Sequence, residues 1–171
     1  MTARIVLYMI LASTLSFGGF VDSLFSDEKP QTPDKVLIVK SERKLYLLKD
    51  GKEIASYHIA LGKEPIGKKT REGDMKTPEG NYTLDYKKKN SSFFRAIHIS
   101  YPAKRDRLNA LKNGVPPGGA IMIHGQPNGW GWASIILQRF DWTEGCVALS
   151  DGDMEEIWES VKVGTPVEIR K

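Results

Sequence analysis

A single cysteine, Cys146, stands directly after a glycine in the run Asp141-Trp142-Thr143-Glu144-Gly145-Cys146-Val147-Ala148-Leu149-Ser150. Glycine there frees the backbone to turn sharply, which can present the sulfur and aim successive N–H groups at one point. Such N–H groups make an oxyanion hole, worth roughly 3–4 kcal/mol per donor. Cysteine attacks well only as thiolate, so a base or a positive group must stand beside it. The alternative is a buried, inert thiol; Gly145 and the polar Thr143-Glu144 argue against simple burial.

His124 ends the run Gly118-Gly119-Ala120-Ile121-Met122-Ile123-His124-Gly125. A strand that ends in His-Gly places an imidazole at a sheet edge, next to a loop. Alternation puts Met122 and His124 on one face and Ile121 and Ile123 on the other. An isolated histidine is more often structural, but 22 residues of separation let one loop bring imidazole and thiol together. A metal site is not expected. His58, His98 and His124 lack ligand spacing, no H-E-x-x-H is present, and one cysteine excludes an internal disulfide and a zinc ribbon.

The elements that must position this pair read as short strands and two helices. Val36 to Lys40 and Lys44 to Lys49 are strand-like, and Asp50-Gly51 supplies the positive φ angles of a tight hairpin turn. Glu53 to Leu61 is the returning strand, followed by a charged, glycine-bearing loop at 62–80. Asn81 to Tyr86, Ala96 to Ser100, Ala120 to His124 and Thr165 to Arg170 are further strands. One helix spans about Ala103 to Lys112. The other starts at an N-cap, Ser150, with Asp153 three residues on, repeats Met154, Ile157, Trp158 and Val161, and stops at Gly164. That stripe is core. The fold class expected is mainly β with two short helices, in a single domain. Loops 62–80 and 125–142, the latter with Trp130, Trp132 and Trp142, are candidate lids or sugar-stacking surfaces, or aromatic packing under a loop.

The chain has 171 residues, 40% hydrophobic and 27% charged, which is ordinary globular composition for one domain plus a leader. A net charge of +4 favours loose association with anionic surfaces but not nucleic acid, because the lysines are spread. Lys87-Lys88-Lys89 and Lys104-Arg105-Asp106-Arg107 read as solvated faces. Arg4 precedes an apolar run from Ile5 to Phe20, so residues 1–21 read as a signal peptide or retained signal-anchor. Residues 22–35 read as a linker and 36–171 as the folded domain. Export to the periplasm or cell wall follows, with attachment to the inner membrane only if the leader is retained.

Taken together, these residues resemble the L,D-transpeptidase family, the YkuD-type peptidoglycan enzymes. His124-Gly125 and Thr143-Glu144-Gly145-Cys146-Val147 match its His-Gly and Ser/Thr-x-Gly-Cys signature in order and distance. Gly73-Asp74-Met75-Lys76-Thr77-Pro78-Glu79-Gly80-Asn81-Tyr82 resembles its G-D-x-x-T-P-x-G-x-Y segment. Ser100-Tyr101-Pro102 resembles a branch of the family. The likeness runs from about Val36 to Ile169.

The resemblance implies a YkuD-like β-sandwich with Cys146 at the mouth of a cleft and no cofactor. It implies that His124 takes the thiol proton and holds the sulfur as thiolate, with a backbone carbonyl orienting the imidazole. Gly145 and Cys146 N–H groups are the implied oxyanion donors. Thr143 would brace the loop, Gly125 follow the base, and Glu144 face solvent. The implied partners are peptidoglycan stem peptides, and in some relatives a wall-anchored lipoprotein. Most members carry arginine two residues after the cysteine, where Ala148 stands here. Arg95, Arg105 and Arg139 are candidate substitutes and, with Tyr101, candidate substrate contacts. The fate of the acyl-enzyme stays open between cross-linking or protein attachment, and trimming as an L,D-carboxypeptidase or amidase. The reading from another class is an inactive wall-binding module. Sortases need a longer gap and a downstream arginine, and papain-like or NlpC/P60-like peptidases place cysteine first.

Overall fold

The structure, a computed structural model, describes residues 31–171. The leader at residues 1–21 and most of the linker lie outside the described residues. No described helix is long and apolar enough to cross a membrane.

The chain opens on an alternating strand, β1 (Lys35–Val39), whose Val36 and Ile38 turn inward. A 3-10 turn at Lys40–Glu42 leads to β2 (Lys44–Lys49), which buries Leu45 and Leu47 by the same period of two. Asp50 and Gly51 then take φ of 50° and 75°, the two left-handed positions of the expected hairpin turn, and return the chain as β3 (Lys52–His58). The nine-residue β4 (Gly80–Lys88) follows the 62–80 loop, and β5 (Ala96–Ile99) pairs antiparallel with it. Helix α1 (Lys104–Lys112) runs within a residue of its expected bounds. Next come β6 (Met122–His124), the short helix α2 (Ser134–Leu137), β7 (Val147–Ala148), α3 (Asp151–Ser160) and β8 (Pro166–Arg170).

The eight strands form one sheet in the order β3-β2-β1-β8-β4-β5-β6-β7. Its two halves share β4, which pairs with β8 over Gly80–Thr83 and with β5 from Leu84 on, across a register shift between Leu84 and Tyr86. That irregularity lets one long strand serve both layers of the expected sandwich. The far edges meet as well: just past β3, Ala60 exchanges two backbone hydrogen bonds of 2.8 Å with Ala148 of β7. The layers are therefore one curled sheet that closes on itself. Inside lie Ile38, Leu45, Leu61, Leu84, Ile97, Ile123, Val147 and Leu149, each fully buried, with Met154 and Ile157 of α3 in the same core.

The α3 start is as expected, with the Ser150 hydroxyl accepting from the Asp153 N–H at 3.1 Å. Its end is not: Val161 is already extended, so the helix stops at Ser160. Val161 and Trp158 keep the apolar stripe, and Gly164, at φ 94°, serves the turn into β8. The unexpected α2 has no buried residue, so the period that betrays a packed helix is absent from it.

Candidate active site

Strands β6 and β7 are parallel neighbours, with Ile123 opposite Val147 and His124 opposite Ala148. Carrying the register back one residue sets Met122 beside Cys146, and the Met122 N–H points at the Cys146 sulfur at 3.4 Å. Side chains opposite one another on parallel strands share a face, so His124 and Cys146 emerge on one side, two positions apart. Cys146 is partly buried, and its sulfur lies 3.6 Å from the Ala120 carbonyl.

The loop before Cys146 is held by its own side chain. Thr143 Oγ1 accepts from the Gly145 N–H at 3.1 Å and donates to the Cys146 carbonyl at 2.8 Å. This matches the bracing role expected of Thr143. It also corrects one expectation: the Gly145 N–H is taken by Thr143 and does not face a reacting oxygen. The Cys146 N–H makes no hydrogen bond to a described residue and is the donor left over. Gly145 is needed for a different reason. Its φ is 128°, and a Cβ there would lie 2.7 Å from the Lys76 carbonyl oxygen. Gly62 meets the same segment, since its Cβ would fall 2.1 Å from the Met75 carbonyl and 3.0 Å from Gly145 Cα.

The 62–80 loop is therefore a wall against the cysteine turn, and buried charges fix it in place. Lys40, 2% exposed, reaches the Gly67 carbonyl at 2.7 Å, the Thr77 carbonyl at 3.1 Å and Glu79 at 2.8 Å. Lys69, 4% exposed, pairs with Asp74 at 2.8 Å. Asp74 also accepts from the N–H groups of Thr70, Arg71 and Lys76. Burial works against the Asp74 carboxylate, but Lys69 and those three N–H groups outweigh it, so its pKa lies below the ordinary value. Sequence reasoning missed Lys40 and Lys69. Asp74 was visible only as a letter of the G-D-x-x-T-P segment.

His124 is 3% exposed, and its Nδ1 lies 2.7 Å from the Gly125 carbonyl oxygen. A carbonyl can only accept, so Nδ1 carries the proton and Nε2 the free lone pair. The expected backbone orienter is thus the carbonyl of the next residue. Two aromatic rings flank the imidazole, Phe93 at 4.3 Å and Trp142 at 5.8 Å between centroids. Burial pulls the imidazole pKa down, and the Gly125 hydrogen bond restores only part of it. Burial likewise pushes the Cys146 thiol up; the Met122 N–H opposes this, Glu144 adds to it, and Lys69 pulls back. Both shifts favour neutral thiol beside neutral imidazole over a charged pair.

Several other candidates are placed elsewhere. Tyr101 is 3% exposed, and its hydroxyl donates to the Pro117 carbonyl at 2.9 Å, so the structure places it in the core. Burial pushes its phenol well above the usual range. Arg95 is bound by Glu155 at 2.8 Å and Glu159 at 3.1 Å on α3. Arg105 lies over the Tyr82 ring and bonds the Glu79 carbonyl at 3.3 Å. Arg139 is exposed on the turn after α2. Arg95 and Arg105 thus have partners of their own, and Ala148 itself is fully buried. Glu144 is exposed as expected. His58 and His98 have partners of their own, the Gln138 carbonyl and Asp85. In the 125–142 loop Trp142 packs on His124, whereas Trp130 and Trp132 stack on each other in the open.

A curled, mainly β domain thus sets a turn-borne cysteine and a strand-end histidine on one face of neighbouring strands. The model of the YkuD family, the L,D-transpeptidase catalytic domain, matches residues 33–169. The chain belongs to that family. It is 31% identical over 172 residues to YafK of Escherichia coli K12, named provisionally as an L,D-transpeptidase, across 92% of this chain and 62% of the relative. The chain thus spans less than two thirds of that relative. Among solved structures, the helical cell shape determining protein Pgp2 of Campylobacter jejuni matches with TM-score 0.62 and 27% identity, over 89% of this chain and 54% of Pgp2. An L,D-transpeptidase of Xylanimonas cellulosilytica shares the fold, with TM-score 0.52 and 17% identity over 83% of this chain and 62% of that one.

Proposed function

We propose that the chain is an exported cysteine acyltransferase of the bacterial cell wall, an L,D-transpeptidase acting on peptidoglycan tetrapeptide stems. The observation that carries this reading is the β6–β7 pairing. It sets the Cys146 sulfur on the same face as an imidazole whose Nδ1 is locked and whose Nε2 is free.

Burial favours the neutral thiol, and His124 Nε2 takes its proton as the sulfur attacks the carbonyl between diaminopimelate and D-alanine. The oxygen gains negative charge and the Cys146 N–H meets it. The C–N bond breaks, D-alanine leaves with the proton that His124 held, and a thioester remains on Cys146. An amine of a second stem then attacks, forming a new amide and returning the proton to sulfur through His124. No cofactor or nucleotide is needed, because the thioester keeps the energy of the broken amide. Water in place of the amine would give a trimmed tripeptide, and a protein lysine would give an attached lipoprotein. The likeness to Pgp2 supports a role in shaping the wall, and the apolar run at 5–20 supports a site of action beyond the cytoplasmic membrane.

Defined tetrapeptide muropeptides followed by mass analysis test the reading. The expected products are D-alanine and dimers joined through diaminopimelate. Tripeptides alone would replace transfer by hydrolysis. Any product that persists in Cys146→Ala would remove the nucleophile assignment.

A further inference from the structure

Between β1 and β2 the chain turns at Lys40–Glu42, and Arg43 takes the left-handed conformation at φ 52°, where glycine would be less strained. An arginine kept in that conformation directs attention to its side chain. Its Nε lies 3.0 Å from each carboxylate oxygen of Asp141 and its Nη2 2.6 Å from Oδ2, while Nη1 donates to the Lys40 carbonyl. Such a fork fixes direction as well as distance, which a lysine ammonium does not.

Asp141 passes the constraint on to the cysteine turn. Its Oδ1 also accepts from the Leu61 N–H at 2.9 Å. The residues just past β3 then run beside the turn as a rail. The Leu61 carbonyl accepts from the Thr143 N–H at 3.1 Å, the Lys63 N–H donates to the Thr143 carbonyl at 3.0 Å, and Ala60 pairs with Ala148. Both ends of the 143–148 run, with Cys146 between them, are thus tied to residues 60–63. Within the run, Thr143 Oγ1 holds the Cys146 carbonyl. Arg43 also sets the start of the rail, since its carbonyl accepts from the Ile59 N–H at 2.9 Å. Lys40, from the same turn, holds the 62–80 loop through Gly67, Thr77 and Glu79. The turn at 40–43 therefore grips both walls that meet at Gly62 and Gly145. Neither Arg43 nor Asp141 hydrogen-bonds to Cys146 or His124, so their influence on the reaction passes through the backbone. Acyl transfer needs sulfur and oxyanion donor set about one carbonyl, and a misplacement of about 1 Å costs on the order of 100-fold in rate.

Resting on the acyl-transfer reading, we propose that Arg43 is a positioning residue for that reaction, clamping Asp141 so that the turn presents the Cys146 sulfur and N–H to the substrate carbonyl.

D-alanine release from a tetrapeptide muropeptide by the full chain, with kcat counted per folded molecule from circular dichroism, tests this. Arg43→Gly suits the left-handed backbone and removes the fork. It is expected to lower kcat about tenfold or more and to leave KM within about twofold. Arg43→Lys keeps the charge without the fork and should fall between that variant and the parent. Asp141→Asn still accepts from Leu61 but loses the charged pair, and carries the same comparison should Arg43→Gly fail to fold. Because the two side chains act as a unit, the double variant Arg43→Gly/Asp141→Asn should lose no more than the worse single one. Independently of turnover, the amides of Thr143, Gly145 and Cys146 must shift in NMR spectra of the Arg43 variants. A parental kcat in Arg43→Gly, losses that multiply in the double variant, or unmoved amides would overturn the clamp. A raised KM at unchanged kcat would overturn it too, making Arg43 a substrate contact instead. Release by the unmodified enzyme separates the two readings. Release with a kcat indifferent to Arg43 sinks the clamp alone, whereas absent release sinks the acyl-transfer reading itself.

Discussion

At the scale of single residues, the environment of the Cys146–His124 pair decides when the proton moves. The family resemblance implied a sulfur kept as thiolate by its histidine. The geometry argues for a later transfer, since burial raises the thiol pKa and lowers the imidazole pKa. A thiolate–imidazolium pair would titrate below neutrality, whereas a neutral pair leaves the thiol to ionise above the ordinary cysteine value of about 8.5. Iodoacetamide labelling of Cys146 should therefore rise along one alkaline limb with no shoulder near pH 6–7. His124→Gln should keep that limb while abolishing turnover of peptide substrates. A plateau of labelling at neutral pH that disappears in His124→Gln would establish the preformed ion pair instead. Cys146 and His124 were legible in the sequence because each sits in a short local pattern, Gly-Cys and His-Gly. Phe93 was not, since nothing near it in sequence hints that its ring will lie against residue 124.

At the scale of elements, the 62–80 loop is the segment whose role changed most. Its glycines, prolines and charges made it a candidate lid or sugar-stacking surface, but the structure turns Lys69 and Asp74 inward. Lys40 and Lys69 spend their ammonium groups on backbone carbonyls and carboxylates, and Asp74 collects three N–H groups besides Lys69. The segment so fixed presents the Met75 and Lys76 carbonyls to Gly62 and Gly145, which is how a loop far away in sequence sets the turn at Cys146. Asp74→Asn leaves Lys69 buried without its counter-charge, so a loss of about 3–5 kcal/mol at neutral pH is expected from urea unfolding. The sign of the pH dependence follows from the lowered carboxyl pKa. The stabilisation is complete above the unfolded value near 3.9 and fades as pH falls through the folded one. The gap between the unmodified protein and Asp74→Asn should accordingly close in acid; a gap that holds at pH 2 would mean that charge is not its source. Strands β1, β2 and β4 were legible from their period of two and the hairpin from Asp50-Gly51. The wall was not, because an ion pair between Lys69 and Asp74 has no periodicity to read. Only the resemblance of residues 73–82 to a family segment marked the place.

At the scale of the whole molecule, Ala148, which stands where most of the family carries arginine, lies at the closure of the sheet. Ala148 is fully buried, pairs with His124 on one side and exchanges two backbone hydrogen bonds with Ala60 on the other. It therefore joins the last strand of the sheet to the chain leaving β3, where the edges of the curled sheet meet. Seen in the sequence alone, alanine at 148 looked like a missing functional group that another arginine must supply. In the structure Arg95 and Arg105 have partners of their own, and position 148 is a fully buried closure point. Restoring arginine would force a guanidinium into a site with no carboxylate opposite it in register, and would overpack the seam. Ala148→Arg should thus lower stability by at least about 3 kcal/mol and bring no gain in transfer, whereas Ala148→Ser should cost far less. Urea midpoints for the two variants, read together with dimer yield from muropeptides, check both halves of the expectation. An Ala148→Arg protein as stable as its parent, with a raised dimer yield, would show that the seam opens to admit the side chain. The substitution of alanine would then be a loss of function and not a demand of this fold.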